Sequence, residues 1–165
     1  MGDYSGHNMR KGSMVSLRTW RIALIVWLIF IFLFSSSLFS ADNTEKLLVF
    51  NMLNYVVRKC SHMVEYAILT FLWFRSCWQV REKFSQAVIT SVMLSVLYAA
   101  SDEWHQSFVP TRDGTMTDVV WDATGAIFMG IFLRYIYQRG SDTIRATVLG
   151  PVAGSEGVYN TGDMR

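Results

Sequence analysis

Residues 22–39 carry no charged side chain, and this feature limits the chain to a small set of folds. As an α-helix, a segment of this length crosses roughly 30 Å, the thickness of a bilayer's hydrocarbon core. The composition agrees, because 52% of the residues are hydrophobic and only 17% are charged, less than soluble domains usually carry. A cleaved signal peptide is the alternative, since residues 35–37 resemble a cleavage site, but three further apolar segments follow. We therefore interpret the chain as an integral membrane protein.

The other apolar segments predict an all-α fold. Residues 60–78, 84–106 and 118–137 have the length and apolarity of spanning helices, which makes four with the first. Residues 41–58 place Leu47, Phe50 and Leu53 at helical spacing, which predicts a short extracytoplasmic amphipathic helix on the membrane surface. The predicted domains are a flexible basic tail over residues 1–19, a transmembrane domain over residues 20–138 and a flexible carboxyl tail over residues 139–165.

The distribution of basic residues predicts the orientation. Of the 15 lysine and arginine residues, only Lys46, Arg58, Lys59 and Arg112 fall in the first and third loops. Because loops rich in these residues remain in the cytoplasm, both termini are expected there. The net charge of +2 is small and scattered, and no segment has the pattern of a nucleic-acid surface. The partners we expect are membrane lipids, and the sequence does not indicate an oligomeric state.

Polar side chains recur on three helices at the outer end of this predicted bundle. They are Lys59, His62, Glu65 and Tyr66 on the second helix, Asp102, Glu103, His105 and Gln106 on the third, and Asp118 and Asp122 on the fourth. Each set follows helical spacing, so each forms a stripe on one face. Charges at this depth are costly and usually face the bundle interior and mark function. Arg112, in the turn after the third helix, is predicted to join them.

The stripes admit several interpretations. A network that only holds the helices together is the simplest, but structural contacts rarely use so many carboxylates. A divalent metal could be held by His62, Glu65, Asp102 and His105, although their spacings match no specific zinc signature, and we predict no resident cofactor. Ser61 and Ser101 each have a histidine nearby in the sequence but lack the surroundings of a reactive nucleophile. Binding or acid–base chemistry remains the preferred interpretation.

Two motifs resemble those of VanZ-like membrane proteins. They are KCSHMVEYAIL at residues 59–69 and SDEWHQSFVPTR at residues 101–112, the second followed by Asp118 and Gly125. The resemblance covers residues 20–138. It implies a helical protein of the bacterial cell envelope, whose namesake confers low-level resistance to the glycopeptide teicoplanin, and it implies no particular chemistry.

Three functional hypotheses follow. The first is binding of a polar head group of an envelope lipid or lipid-linked cell-wall precursor. In this hypothesis Arg112 and Lys59 hold an anionic group and Gln106 and Tyr66 add neutral hydrogen bonds. The second is an intramembrane enzyme that modifies an envelope lipid, with His62 or Glu65 as general base and Asp102 or Glu103 as its partner. Besides the four residues named under the first hypothesis, the candidates for ligand binding are His105, Asp118 and Asp122. The third hypothesis, a small transporter, would require a second polar layer deeper in the bundle.

Overall fold

The computed structural model describes residues 16–35, 51–78, 83–109 and 115–150, with side chains of the second helix described from Val56 onward. These residues form five α-helices and no strand. The helices are α1 (Leu17–Ser35), α2 (Asn51–Cys77), α3 (Phe84–Gln106), α4 (Met116–Arg139) and α5 (Asp142–Val148). The all-α class is confirmed, and α3 has the predicted bounds.

Three helices are long and apolar enough to cross a membrane, namely α1, α3 and α4. The predicted fourth span corresponds to α2, which is not among them. Arg58, Lys59, His62, Glu65 and Arg75 lower the hydropathy of this helix. Length and composition therefore support three spans.

The predicted amphipathic helix is wrong for residues 51–58, because these residues form the first turns of α2. The helical spacing that included Leu53 belongs in part to a helix that continues without a break to Cys77. Neither glycine nor proline interrupts residues 51–77, so nothing in the local sequence ends the helix near Arg58. Residues 41–50, and with them the rest of that prediction, lie outside the described residues.

Part of the predicted carboxyl tail is also ordered, since Asp142–Val148 forms α5. The Ser141 hydroxyl caps this helix by accepting a hydrogen bond from the Ile144 amide at 3.4 Å. Leu149 is buried in an apolar cluster with Phe74, Trp78 and Phe84. The glycine and small polar residues that suggested a flexible tail therefore surround an anchored apolar side chain.

The four long helices alternate in direction. At one end of the bundle, the start of α1 meets the end of α2 through Trp20 and Phe71, whose ring centroids lie 5.7 Å apart. The Phe84 ring at the start of α3 stacks on Tyr137 at the end of α4, with centroids 4.0 Å apart. Helices α2, α3 and α4 pack against one another, and α1 packs mainly on α2. The end of α1, the start of α2, the end of α3 and the start of α4 consequently share the opposite end.

Gly125 permits the closest contact between α2 and α4. A Cβ atom at this position would lie 2.8 Å from the Cα of Met63 and would also meet the Met63 carbonyl. Such an approach to backbone atoms cannot be relieved by a side-chain rotation. The small residue therefore sets the distance between the helices that carry Lys59, His62, Asp118 and Asp122.

Arg75 connects the far end of the bundle to the chain after α5. Its guanidinium donates a hydrogen bond to the Leu149 carbonyl and lies 4.5 Å from the centre of the Trp20 ring. The next residue, Gly150, has φ +83°, a conformation that glycine adopts without strain. Helices α1 and α2 and the segment after α5 are thus joined through one side chain.

The first prediction concerns Gly125→Ala. Alanine normally favours a helix by about 1 kcal/mol over glycine, but here its methyl group would contact the Met63 backbone. We expect a net destabilisation of about 1–3 kcal/mol, as for other overpacked sites. It would be measured as a lower Tm in detergent. The neighbouring exposed change Thr124→Ala should leave the Tm nearly unchanged, and an unaltered or higher Tm for Gly125→Ala would contradict the proposed contact.

The second prediction concerns Arg75→Met. Loss of the hydrogen bond to Leu149 and of the contact with Trp20 should release α5 from the bundle. Hydrogen exchange in residues 142–149 should accelerate by about tenfold, as expected for a hydrogen bond to a charged group. Arg134→Met changes an exposed arginine on α4 and is the control. Equal exchange in both variants would show that Arg75 does not anchor α5.

Candidate functional site

Polar side chains from four helices meet at the end of the bundle opposite Arg75. We call this group the polar cluster. It comprises Ser35, Lys59, His62, Tyr66, Asp102, Glu103, Gln106, Asp118 and Asp122. All but His62 are buried, and His62 is half-buried. The helix directions explain the gathering, because α1 and α3 end where α2 and α4 begin.

Two pairs connect α2 with α4. The Lys59 ammonium donates a hydrogen bond to the Asp118 carboxylate. One turn further along both helices, His62 Nδ1 lies 3.2 Å from Asp122 Oδ1. This is an ion-pair distance, although neither atom completes a well-aligned hydrogen bond. His62 follows Lys59 by three residues on α2, and Asp122 follows Asp118 by four residues on α4. Each step is about one helical turn, and the two helices run in the same direction, so the second pair lies one turn beyond the first.

A second set of contacts connects α1 with α3. The Ser35 hydroxyl donates to Asp102 Oδ2 at 2.6 Å, and the Gln106 amide donates to the same oxygen at 2.9 Å. Gln106 also lies 3.3 Å from the Ser35 hydroxyl. Asp102 therefore holds the end of α1 against the last turn of α3.

Glu103 connects the end of α3 with the start of α4. Its Oε2 accepts a hydrogen bond from the Thr115 amide at 3.0 Å, directly before α4 begins. Its other oxygen, Oε1, is buried and has no hydrogen-bond partner. One oxygen of the Glu103 carboxylate therefore links α3 to the start of α4, and the other has no hydrogen-bond partner.

Tyr66 and Asp122 are the most deeply buried members of the cluster. Both side chains are 0% exposed, and neither the Tyr66 hydroxyl nor either Asp122 oxygen has a hydrogen-bond partner. A buried polar atom without a partner typically costs about 1–3 kcal/mol. The centre of the cluster is therefore incompletely satisfied.

The remaining predicted site residues lie at the margin or outside the described residues. Glu65 is half-buried, and its backbone carbonyl accepts a hydrogen bond from Trp27 Nε1 on α1 at 3.1 Å. His105 is half-buried and stacks on Phe32, with ring centroids 4.8 Å apart. The Arg112 prediction cannot be placed, because this residue lies outside the described residues.

Ser35 and Thr115 are members of the site that the sequence did not identify. Ser35 lies in an apolar segment and contacts Asp102 only because the chain folds back across the bundle. Thr115 contributes a backbone amide, which leaves no signal in the sequence. The available hint for Ser35 was that a serine stands at the end of a predicted spanning segment.

The residues considered as possible metal ligands have other contacts. His62 faces Asp122, Asp102 is bound by Ser35 and Gln106, and His105 stacks on Phe32. Among residues 16–35, 51–78, 83–109 and 115–150, no group of three or more His, Cys, Asp and Glu side chains could hold a metal ion.

Comparison with known proteins agrees with the motifs. The family model described as VanZ/LLP1 matches residues 20–138, which include nearly all of the four long helices and the whole polar cluster. Neither a curated protein nor a solved structure matches the chain. The apolar helices and this match together identify a membrane protein. Since the matched region covers most of the sequence, the chain belongs to the VanZ/LLP1 family.

Proposed function

We propose that this protein binds the polar head group of an envelope lipid, or of a lipid-linked cell-wall precursor, in the polar cluster. In this proposal α2 also crosses the membrane, both termini are cytoplasmic and the cluster lies at the extracytoplasmic face. Binding there would alter the envelope targets of glycopeptide antibiotics, in line with the teicoplanin resistance associated with the family.

The observation that carries the proposal is the division of the cluster into two halves. Lys59 with Asp118, and Asp102 with Ser35 and Gln106, are hydrogen-bonded pairs that join helices. The Tyr66 hydroxyl, Glu103 Oε1 and Asp122 Oδ2 are buried without hydrogen-bond partners. A purely structural network gains nothing from the second group, because each unsatisfied atom lowers stability. An external polar group would satisfy these atoms.

The proposed path of α2 rests on its surroundings. Its contacts run from Met63, against Gly125 of α4, through Thr70, whose hydroxyl lies 2.9 Å from that of Ser95 on α3, to Phe74. Phe74 is fully buried and lies 5.6 Å from Phe84, ring to ring. A helix packed on α1, α3 and α4 can cross a bilayer with less apolar composition, because its polar side chains face protein.

The site is expected to be reached from the membrane or the outer face. At the opposite end, Phe74, Trp78, Phe84, Leu133, Ile136 and Leu149 form an apolar cluster. A transport path would need polar groups through this region. The packing therefore favours a binding site open at one end over the transporter hypothesis.

The third prediction tests binding with Tyr66→Phe. The change keeps the packed ring and removes a hydroxyl that has no hydrogen-bond partner. We expect a Tm that is unchanged or slightly higher in lipid-free detergent. Enrichment of the bound lipid, measured by mass spectrometry of protein extracted with its native membrane, should fall about threefold to tenfold, the usual effect of one neutral hydrogen bond.

Tyr135→Phe is the matched control, because Tyr135 is exposed on α4. It should leave both the Tm and the lipid enrichment unchanged. A lower Tm for Tyr66→Phe, with lipid enrichment equal to that of the native protein, would assign the hydroxyl to structure and contradict the proposed site.

A second candidate function is an intramembrane enzyme that modifies an envelope lipid, and the His62–Asp122 pair favours it. A carboxylate 3.2 Å from Nδ1 can orient an imidazole as a general base or acid. Glu103 interacts electrostatically with the same histidine and offers a second carboxylate for proton transfer. The pair has the composition of an acid–base dyad.

The fourth prediction separates catalysis from binding with His62→Gln. An enzyme with His62 as general base should lose about a hundredfold or more in turnover, followed by mass spectrometry of envelope lipids incubated with the protein. Lipid retention should change by less than about threefold. Native protein that retains lipid without converting it would exclude the enzyme hypothesis for the lipids tested and leave the binding proposal intact.

A further inference from the structure

The unsatisfied atoms of the polar cluster are mainly acceptors. Glu103 Oε1 and Asp122 Oδ2 are carboxylate oxygens, and their side chains belong to residues that are 5% and 0% exposed. An ionised carboxylate accepts hydrogen bonds and cannot donate them. The Tyr66 hydroxyl, which can accept or donate, is also buried without a hydrogen-bond partner. A group that completes these contacts must supply several donors.

The charge of the polar cluster also favours a ligand that is a cation. Asp102, Glu103, Asp118 and Asp122 are four carboxylates, whereas Lys59 and His62 are the cationic side chains of the cluster. The Lys59 ammonium already donates to Asp118. Even with both cationic side chains protonated, the carboxylates are in excess. A cation bound beside ionised Glu103 and Asp122 would therefore be stabilised in this buried site.

We propose that the described part of the site binds a primary ammonium group. This inference rests on the proposed head-group function and specifies the part of the head group that is recognised. An ammonium carries three N–H donors and a positive charge. The three donors equal in number the unpartnered oxygens Glu103 Oε1, Asp122 Oδ2 and the Tyr66 hydroxyl oxygen.

Other head groups match these atoms less well. A phosphate would add negative charge beside Glu103 and Asp122, and its oxygens have no protons to donate to them. A quaternary ammonium has the correct charge and no donor. A glycerol head group has donors but leaves the excess negative charge uncompensated.

Two sources could provide the ammonium. One is the head group of an aminophospholipid such as phosphatidylethanolamine. The other is a free amino group on the peptide of a lipid-linked cell-wall precursor. Both present the same chemistry to Glu103 and Asp122, so the experiment has to compare them directly.

The fifth prediction is tested by native mass spectrometry of the full chain in detergent, titrated with probes of identical acyl chains. The probes are phosphatidylethanolamine, its N-acetylated derivative and phosphatidylglycerol. A lipid-linked precursor with a free or an acetylated peptide amine forms the second arm. The free amine should bind about tenfold or more tightly than its acetylated form, since acetylation removes the charge and two of the three donors. The tighter of the two free-amine probes identifies the source.

Glu103→Gln and Asp122→Asn preserve side-chain shape and should each reduce the preference for the free amine by about tenfold. Asp142→Asn makes the same change at a side chain that is 85% exposed on α5, and should preserve the preference. Preserved preference in both site variants would overturn the inference.

The remaining outcomes distinguish recognition of an ammonium group from the more general proposal of head-group binding. Equal binding of the free and acetylated amine, or tighter binding of phosphatidylglycerol, would overturn recognition of an ammonium while head-group binding stands. Failure of the native protein to retain any of the probes or any native lipid would overturn both.

Discussion

A polar side chain at membrane depth requires a partner, and most of this structure follows from how its charged residues meet that requirement. Asp118 is bound by Lys59, and Asp102 is bound by Ser35 and Gln106. These contacts join α2 to α4 and α1 to α3, so the paired charges also define how the helices assemble. Gly125 allows the pairs on α2 and α4 to come within reach, because its missing side chain brings the backbones together.

The same requirement is left unmet at the Tyr66 hydroxyl and at one oxygen each of Glu103 and Asp122. These residues lie on α2, α3 and α4, helices that the paired contacts already join to their neighbours. A protein that needed the cluster only for assembly would be more stable with apolar side chains at these positions. Their retention of unsatisfied oxygens is the physical basis for proposing an external ligand. The apolar cluster at the other end limits that ligand to one half of the bundle.

Sequence patterns predicted the elements more completely than the contacts between them. The bounds of α3 followed from apolar residues that end abruptly in a polar turn, and the stripes on α2, α3 and α4 followed from helical spacing. The separate amphipathic helix was wrong because amphipathic spacing is the same in an isolated helix and in the first turns of a longer one. Likewise, the composition of the carboxyl tail did not reveal that Leu149 has a buried position beside Arg75.

The pairing of side chains between α2 and α4 could not be deduced from the stripe of polar residues on either helix alone. Lys59 or His62 could have faced several carboxylates, and the choice depends on the rotation of α2 against α4, which packing at Gly125 determines. Ser35 and the Thr115 amide were absent from the predicted site because long-range contact and backbone donors leave no local pattern. Whether α2 crosses the membrane and which face holds the cluster remain proposals drawn from composition and packing.

The most direct measurement is a high-resolution structure of the protein extracted with its native membrane lipids. The account predicts density for a lipid head group within hydrogen-bonding distance of the Tyr66 hydroxyl, Glu103 Oε1 and the Asp122 carboxylate. Density that shows these atoms bound only to water or to other side chains of the same chain would contradict the claim that the cluster is a binding site.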